Sequence, residues 1–217
     1  MPRPELQDMV VALKQAGFLH GPRVEKAMLA VDRVYFVPPG HRAFAYEDQA
    51  LPLFAGQTIS APTVVAFMLE KLDIQPGMKI LEIGTGSGYN TALLAELAGK
   101  KGTVISMEIV PELHGLAQRN LAKLPKKYPQ LKLLCQDGSH GYPPEAPYDR
   151  ITVTAAMPSL PPGHPLIRQL KPDGKLIAPV GGSGWEQDLI LYDHATRSSQ
   201  RILPVLFVPL TGKGEKE

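Results

Sequence analysis

The sequence predicts an α/β protein with a mostly parallel, doubly wound sheet, a small N-terminal helical extension and an antiparallel pair of strands at the C-terminus. Three observations lead there. Between residues 79 and 180, short apolar runs alternate with amphipathic helical stretches. The first of those runs, residues 80–83, ends in a glycine-rich turn. The last two runs, 188–193 and 201–208, are separated only by polar residues 194–200, with no helix between them.

Taken in order, the elements have local causes. Leu6, Met9, Val10 and Leu13 share one face of a first helix, with Pro4 suited to its start and Gly17 to its end. Val24, Ala27, Met28 and Val31 repeat the pattern after Pro22. The run Tyr35-Phe36-Val37-Pro38-Pro39 cannot continue a helix, and residues 39–59 read as irregular. Ala61, Val64, Val65, Met68 and Leu72 stripe a third helix that stops at the turn Asp73-Ile74-Gln75-Pro76-Gly77. Strands follow at 80–83, 103–107, 131–135, 149–154 and 175–180, with helices at 89–98, 111–124 and 163–171.

The chain has 217 residues, 44 % hydrophobic and 20 % charged, which is the composition of a globular domain. Its net charge of +2 is too small to draw nucleic acid. No apolar run approaches the ~18 residues of a membrane span, and residues 1–6 lack the apolar core of a signal peptide. The single cysteine, Cys135, excludes an internal disulfide, and the six scattered histidines show no metal-ligand spacing. The expectation is a cytoplasmic monomer with neither nucleic acid nor membrane as partner and no metal. Its expected units are a helical extension over 1–55, a catalytic domain over 56–211 and a frayed tail over 212–217.

In such sheets ligands bind at the carboxyl ends of the strands, where the topology switches. After the first strand comes Glu82-Ile83-Gly84-Thr85-Gly86-Ser87-Gly88. Gly84 and Gly86 match the first two positions of a dinucleotide fingerprint, but Tyr89 stands where its third glycine belongs. The pattern E-x-G-x-G-x-G turns the reading from nicotinamide cofactors towards S-adenosylmethionine. A plain tight turn is the competing explanation. Glu82 weighs against it, because a carboxylate in a buried strand needs a polar partner, and a cofactor ammonium would supply one. Glu108 closes the second strand, 24 residues after Gly84, where a carboxylate can accept from both hydroxyls of a ribose. Asp137-Gly138 follows the third strand, placed to accept from an adenine amine, although Asp-Gly is also a common turn. Ahead of the third helix, Ser60 has two compatible readings: a helix cap, or a hydroxyl aimed, with that of Thr58, into a pocket.

Two segments, Gly56-Gln57-Thr58-Ile59-Ser60-Ala61-Pro62 and Leu81-Glu82-Ile83-Gly84-Thr85-Gly86-Ser87-Gly88-Tyr89, resemble the protein-L-isoaspartate O-methyltransferase family. So do Ala146-Pro147-Tyr148-Asp149, Val153-Thr154-Ala155-Ala156, Pro179-Val180-Gly181 and Phe207-Val208-Pro209-Leu210-Thr211. The glycine motif is shared by many methyltransferases, whereas Gln57 to Pro62 and Val208 to Thr211 are far more specific. Residues 1–30 and the loop Gly182-Ser183-Gly184-Trp185 carry no distinctive match, and Thr63 and Val65 stand where some relatives have histidine.

The resemblance implies a Rossmann-like class I methyltransferase fold and transfer of a methyl group from S-adenosylmethionine, leaving S-adenosylhomocysteine. The acceptor it implies is the free carboxyl of isoaspartyl residues in damaged proteins and peptides, whose repair the ester initiates. It also implies cofactor contacts from Gln57, Thr58, Ile59, Ser60, Glu82, Gly84, Thr85, Gly86, Glu108, Asp137, Gly138 and Thr211. Substrate contacts would come from Ser60, Ala61, Pro62, Val180 and Gly181, with Ser60 as the catalytic residue. Three readings stand beside this one. The same cofactor could serve a small acid, RNA or another protein site. A nicotinamide oxidoreductase is disfavoured by Tyr89. A non-catalytic scaffold is disfavoured by the joint presence of all the proposed site residues.

Overall fold

The computed structural model describes residues 2–182 and 186–213. Its centre is a seven-stranded sheet in the order β5-β4-β3-β6-β7-β8-β9. The parallel part comprises β3 (Lys79–Ile83), β4 (Thr103–Glu108), β5 (Leu131–Cys135), β6 (Tyr148–Val153) and β7 (Leu170–Val180). Strands β8 (Gln187–Asp193) and β9 (Ser198–Val205) complete it antiparallel. From β3 the chain passes to β4 on one side, while β6 pairs on the other, so the switch point lies at the carboxyl end of β3.

Two apolar clusters cover the two faces of the sheet, as the period of a strand requires. Ile80 of β3 and Val104 of β4 join a cluster with α1 (Pro4–Gln15), α2 (Pro22–Ala30), α3 (Pro62–Leu72) and α4 (Tyr89–Ala98). Leu81, Ile83, Ile105 and Met107 face the other way, against Leu166 and Ile167 of the one-turn helix α6 (Pro165–Arg168). The N-terminal helices therefore share a core with the sheet. Their faces are the expected ones: Leu6, Met9, Val10 and Leu13 in α1, and Val24, Ala27 and Met28 in α2, are buried. Helix α5 (Pro111–Lys123) buries Leu113 and Ala117.

Some boundaries differ from expectation, each for a local reason. The stretch expected to be irregular holds two 3-10 turns, Arg33–Phe36 and Pro39–Phe44, and a two-residue hairpin of β1 (Leu51–Pro52) and β2 (Thr58–Ile59). The helix expected over 163–171 is a single turn, because Leu170 already pairs with Tyr148 and the Lys171 ammonium is held by Asp149 at 2.8 Å. Strand β9 begins earlier, at Ser198, and ends earlier, at Val205. Beyond it the chain returns to the sheet: Ala156 N–H donates to the Val208 carbonyl and Leu210 N–H to the Ala156 carbonyl, each at 2.8 Å. The tail expected to fray begins tethered, since the Lys213 N–H donates to Asp137 at 2.8 Å. The rest of that tail, and residues 183–185 of the unmatched loop, lie outside the described residues. Among the described residues no helix is long and apolar enough to cross a membrane.

Candidate functional site

One cleft opens at the carboxyl ends of β3, β4 and β6. Its floor is the glycine turn that joins β3 to α4. Gly84 has φ +95°, and a Cβ there would overlap the Thr154 hydroxyl, so any side chain at this position is both strained and crowded. Thr154 uses that closeness: its Oγ1 lies 3.1 Å from the Ile83 carbonyl and 2.6 Å from that of Gly84, donating to this pair. Gly86 has φ +54°, yet a Cβ there would meet only Leu53, 4.0 Å away. Gly86 lines the cleft, and a side chain there would meet no close neighbour.

Glu108 holds the turn from the neighbouring strand. Its Oε2 accepts from the Gly86 N–H at 2.8 Å and its Oε1 from the Val110 N–H at 3.0 Å. Each oxygen keeps a further lone pair for a ligand hydroxyl. Met107, Ile109, Val110 and Leu113 form an apolar wall beside it. Across the cleft stands the hairpin segment Gln57, Thr58, Ile59 and Ser60, and the returning chain from Phe207 to Thr211 closes the third side.

Ser60 is not the cap of α3. The capping position is Ala61, with no side-chain cap bond. The first turn is served instead by Asp48, whose Oδ1 accepts from Thr63 N–H at 2.9 Å and Oδ2 from Thr63 Oγ1 at 2.5 Å. The Ser60 hydroxyl has no hydrogen-bond partner among the described residues. The Ser60 backbone is fixed from behind, where the buried Arg33 guanidinium donates to its carbonyl at 3.0 Å.

The structure thus brings together, in one cleft, Gln57, Thr58, Ile59, Ser60, Gly84, Thr85, Gly86, Glu108, Gly138 and Thr211. It does not bring in Glu82, Asp137, Ala61, Pro62, Val180 or Gly181. Glu82 shares the strand face of Ile80 and points beneath α4. There it accepts from Asn90 Nδ2 at 2.8 Å, Thr91 Oγ1 at 2.5 Å and Ser106 Oγ at 2.6 Å. Those side chains, rather than a cofactor ammonium, satisfy the buried carboxylate. Burial drives its pKa up to about 7, against the opposing pull of the Ser106, Thr91 and Asn90 hydrogen bonds. Asp137 is likewise engaged by backbone: Oδ1 accepts from Ser139 N–H at 2.9 Å and Oδ2 from Lys213 N–H. Burial alone would raise its pKa, but these backbone donors outweigh it and bring the pKa below the ordinary value. Gly181 donates its N–H to the Met157 carbonyl at 2.9 Å, joining the end of β7 to the loop after β6.

Sequence reasoning missed the apolar wall and Thr154–Ala155 as lining residues. Ile109 carried a usable signal, an apolar residue directly after a strand-end carboxylate, and it is 37 % exposed. Thr154 carried another, as a hydroxyl at the end of β6 beside the switch point.

The comparisons with known proteins agree with one another. The family model described as protein-L-isoaspartate (D-aspartate) O-methyltransferase matches residues 4–215. A protein-L-isoaspartate O-methyltransferase of Methanopyrus kandleri is 51 % identical over 209 residues, covering 94 % of this chain and 90 % of its own. That of Pyrococcus horikoshii is 46 % identical over 207 residues, covering 94 % and 91 %. A Plasmodium falciparum structure assigned to the same enzyme, in complex with S-adenosyl-L-homocysteine, superposes with a TM-score of 0.83 at 27 % identity, covering 94 % of this chain and 97 % of its own. The chain therefore belongs to the protein-L-isoaspartate O-methyltransferase family.

Proposed function

We propose that this protein transfers the methyl group of S-adenosylmethionine to the free carboxylate of isoaspartyl residues in damaged proteins and peptides. The observation that carries the reading is the meeting, in one cleft, of the glycine turn, Glu108 and the uncommitted Ser60 hydroxyl. The residues present suit S-adenosylmethionine. Gly86 leaves its side of the cleft clear, Glu108 offers acceptors for a ribose diol, and Met107, Ile109 and Leu113 offer an apolar wall for a ring.

When bound, S-adenosylmethionine supplies a sulfonium-activated methyl group. The chain's own task is then alignment. A carboxylate with a reference pKa near 3.9 is already ionised at neutral pH and needs no general base. Ser60 donates its hydroxyl proton to one carboxylate oxygen and leaves the other free to attack. Being neutral, it does so without quenching the charge that makes the acceptor nucleophilic. Such positioning can supply several kcal/mol of the barrier. Thr58 and Thr211 border the same cleft, and Ala61, Pro62, Val180 and Gly181 are proposed to line the approach of a flexible peptide. We place the protein in the cytoplasm as a monomer, with damaged proteins as its partners. The exposed, unpaired Cys135 suits that compartment.

The test is methyl transfer from labelled S-adenosylmethionine to two peptides identical except for one isoaspartyl linkage. Labelling confined to the isoaspartyl peptide is expected. Equal labelling of both, or of neither, would overturn the assignment.

A further inference from the structure

Arg33 is completely buried, yet no carboxylate among the described residues forms an ion pair with it. Its guanidinium instead reaches three carbonyls, two from the loop before β1 and one from the segment before α3. Nη1 donates to Ala45 at 2.5 Å, and Nη2 to Gln49 at 3.2 Å and Ser60 at 3.0 Å. The group lies 5.9 Å from the centroid of the Tyr89 ring. Tyr89 opens α4 directly after the glycine turn and lines the cleft. The Asp48 carboxylate acts on Arg33 through its field alone, and both its oxygens are taken by Thr63.

A buried cation hydrogen-bonded only to neutral carbonyls is costly, and burial pulls its pKa below the usual arginine value against the opposing fields of Tyr89 and Asp48. An apolar side chain could fill the same space at less cost. What it could not do is fix three carbonyls at once or place positive charge there. Of the three carbonyl-bearing residues, only Ser60 reaches the cleft.

We propose that Arg33 is a positioning residue for the methyl acceptor: it locks the Ser60 peptide unit, aims the Ser60 hydroxyl, and sets a cation behind it that favours an anionic group in front. The proposal rests on Ser60 acting on the acceptor carboxylate. Lysine is not a substitute, because one ammonium on a flexible stem lacks the planar fork that spans carbonyls in different directions.

The experiment measures kcat and KM for an isoaspartyl peptide, and S-adenosylhomocysteine affinity by calorimetry, for wild type, R33K, S60A and the double variant. R33K is expected to lower kcat by about tenfold or more, the scale of a small misplacement of a reacting group. Its S-adenosylhomocysteine affinity should change by less than about threefold. In the S60A background the same substitution should cost less than about twofold, because Arg33 acts through Ser60. A folded R33K enzyme with wild-type kcat and KM would overturn the proposal, as would an equal loss in both backgrounds. Wild-type turnover by S60A would overturn the reading of Ser60 beneath it, which is a distinguishable failure. Should R33K not fold, nitrogen-15 arginine spectra of the wild-type protein decide. The Arg33 Nη signals should shift when isoaspartyl peptide is added to the S-adenosylhomocysteine complex, and unmoved signals would overturn the proposal.

Discussion

Single residues decide this site by what they are not bonded to. Ser60 read from sequence had two roles open, and Asp48 resolves them by taking over the start of α3 through Thr63. A serine that caps would lose about 1 kcal/mol of protein stability on becoming alanine. Ser60→Ala should instead leave the urea midpoint nearly unchanged and lower turnover by roughly 10- to 150-fold, the value of one hydrogen bond to a charged group. Ser60→Thr keeps the hydroxyl on a stiffer stem and should retain part of the activity. Steady-state kinetics beside denaturant titration checks both halves of this expectation. Glu108 is the opposite case, since it is bonded already, to Gly86 and Val110. Glu108→Ala therefore removes a ligand contact and releases the turn that shapes the cleft. Calorimetry should show S-adenosylhomocysteine affinity falling by more than about tenfold. Glu108→Gln should not restore it fully, because an amide NH2 would face one of the two backbone N–H groups.

At the level of elements, the period-2 and period-3.6 patterns made the core strands and the helices α1 to α5 readable. Those patterns are set by local burial, and the seven strands of the sheet were placed by them. What could not be read was produced by distant partners. The 163–171 stretch had helical spacing, but pairing of Leu170 with Tyr148 draws its second half into β7. Asp137 was read as an adenine acceptor, and nothing in the sequence signals that the chain returning at Lys213, 76 residues later, also draws on one of its oxygens. Glu82 was correctly seen as a buried carboxylate in need of partners. They are supplied by residues on α4 and β4 rather than by a ligand. The β3–α4 turn shows the same dependence on a distant element. Gly84 lines the cleft, yet a Cβ on it would run into the Thr154 hydroxyl from the end of β6. Gly84→Ala should therefore destabilise the fold by about 2–4 kcal/mol, through positive-φ strain and overpacking together. Adding Thr154→Ala removes the overlap but not the strain. The double variant should be more stable than the sum of the single losses by about 1 kcal/mol or more, a coupling that urea titration of the four proteins measures.

For the molecule as a whole, the structure separates the pH dependence of folding from that of catalysis. Glu82 is the described carboxylate whose pKa is pushed to about 7, from an ordinary value of 4.5. It sits under α4 in the core and does not line the cleft, although its partner Asn90 does. Between those two values the folded protein holds a proton there that the unfolded chain has released. Its contribution to stability is therefore complete below about pH 4.5 and lost as pH rises towards 7, at a slope of at most about 1.4 kcal/mol per pH unit. Glu82→Gln cannot titrate. The stability difference between wild type and this variant should thus drift against the wild type from pH 5 to 7 and level off above. The transfer step should not follow that drift. Its acceptor is a carboxylate ionised well below pH 6, and Ser60 does not change charge in this range. Single-turnover rates at saturating S-adenosylmethionine should accordingly be nearly flat from pH 6 to 8, in wild type and in Glu82→Gln alike. A wild-type rate rising tenfold per pH unit would mean that the acceptor arrives neutral and must lose a proton first. A rise in the wild type that disappears in Glu82→Gln would mean that the buried carboxylate controls the glycine turn above it, and the two pH dependences would then have a single cause.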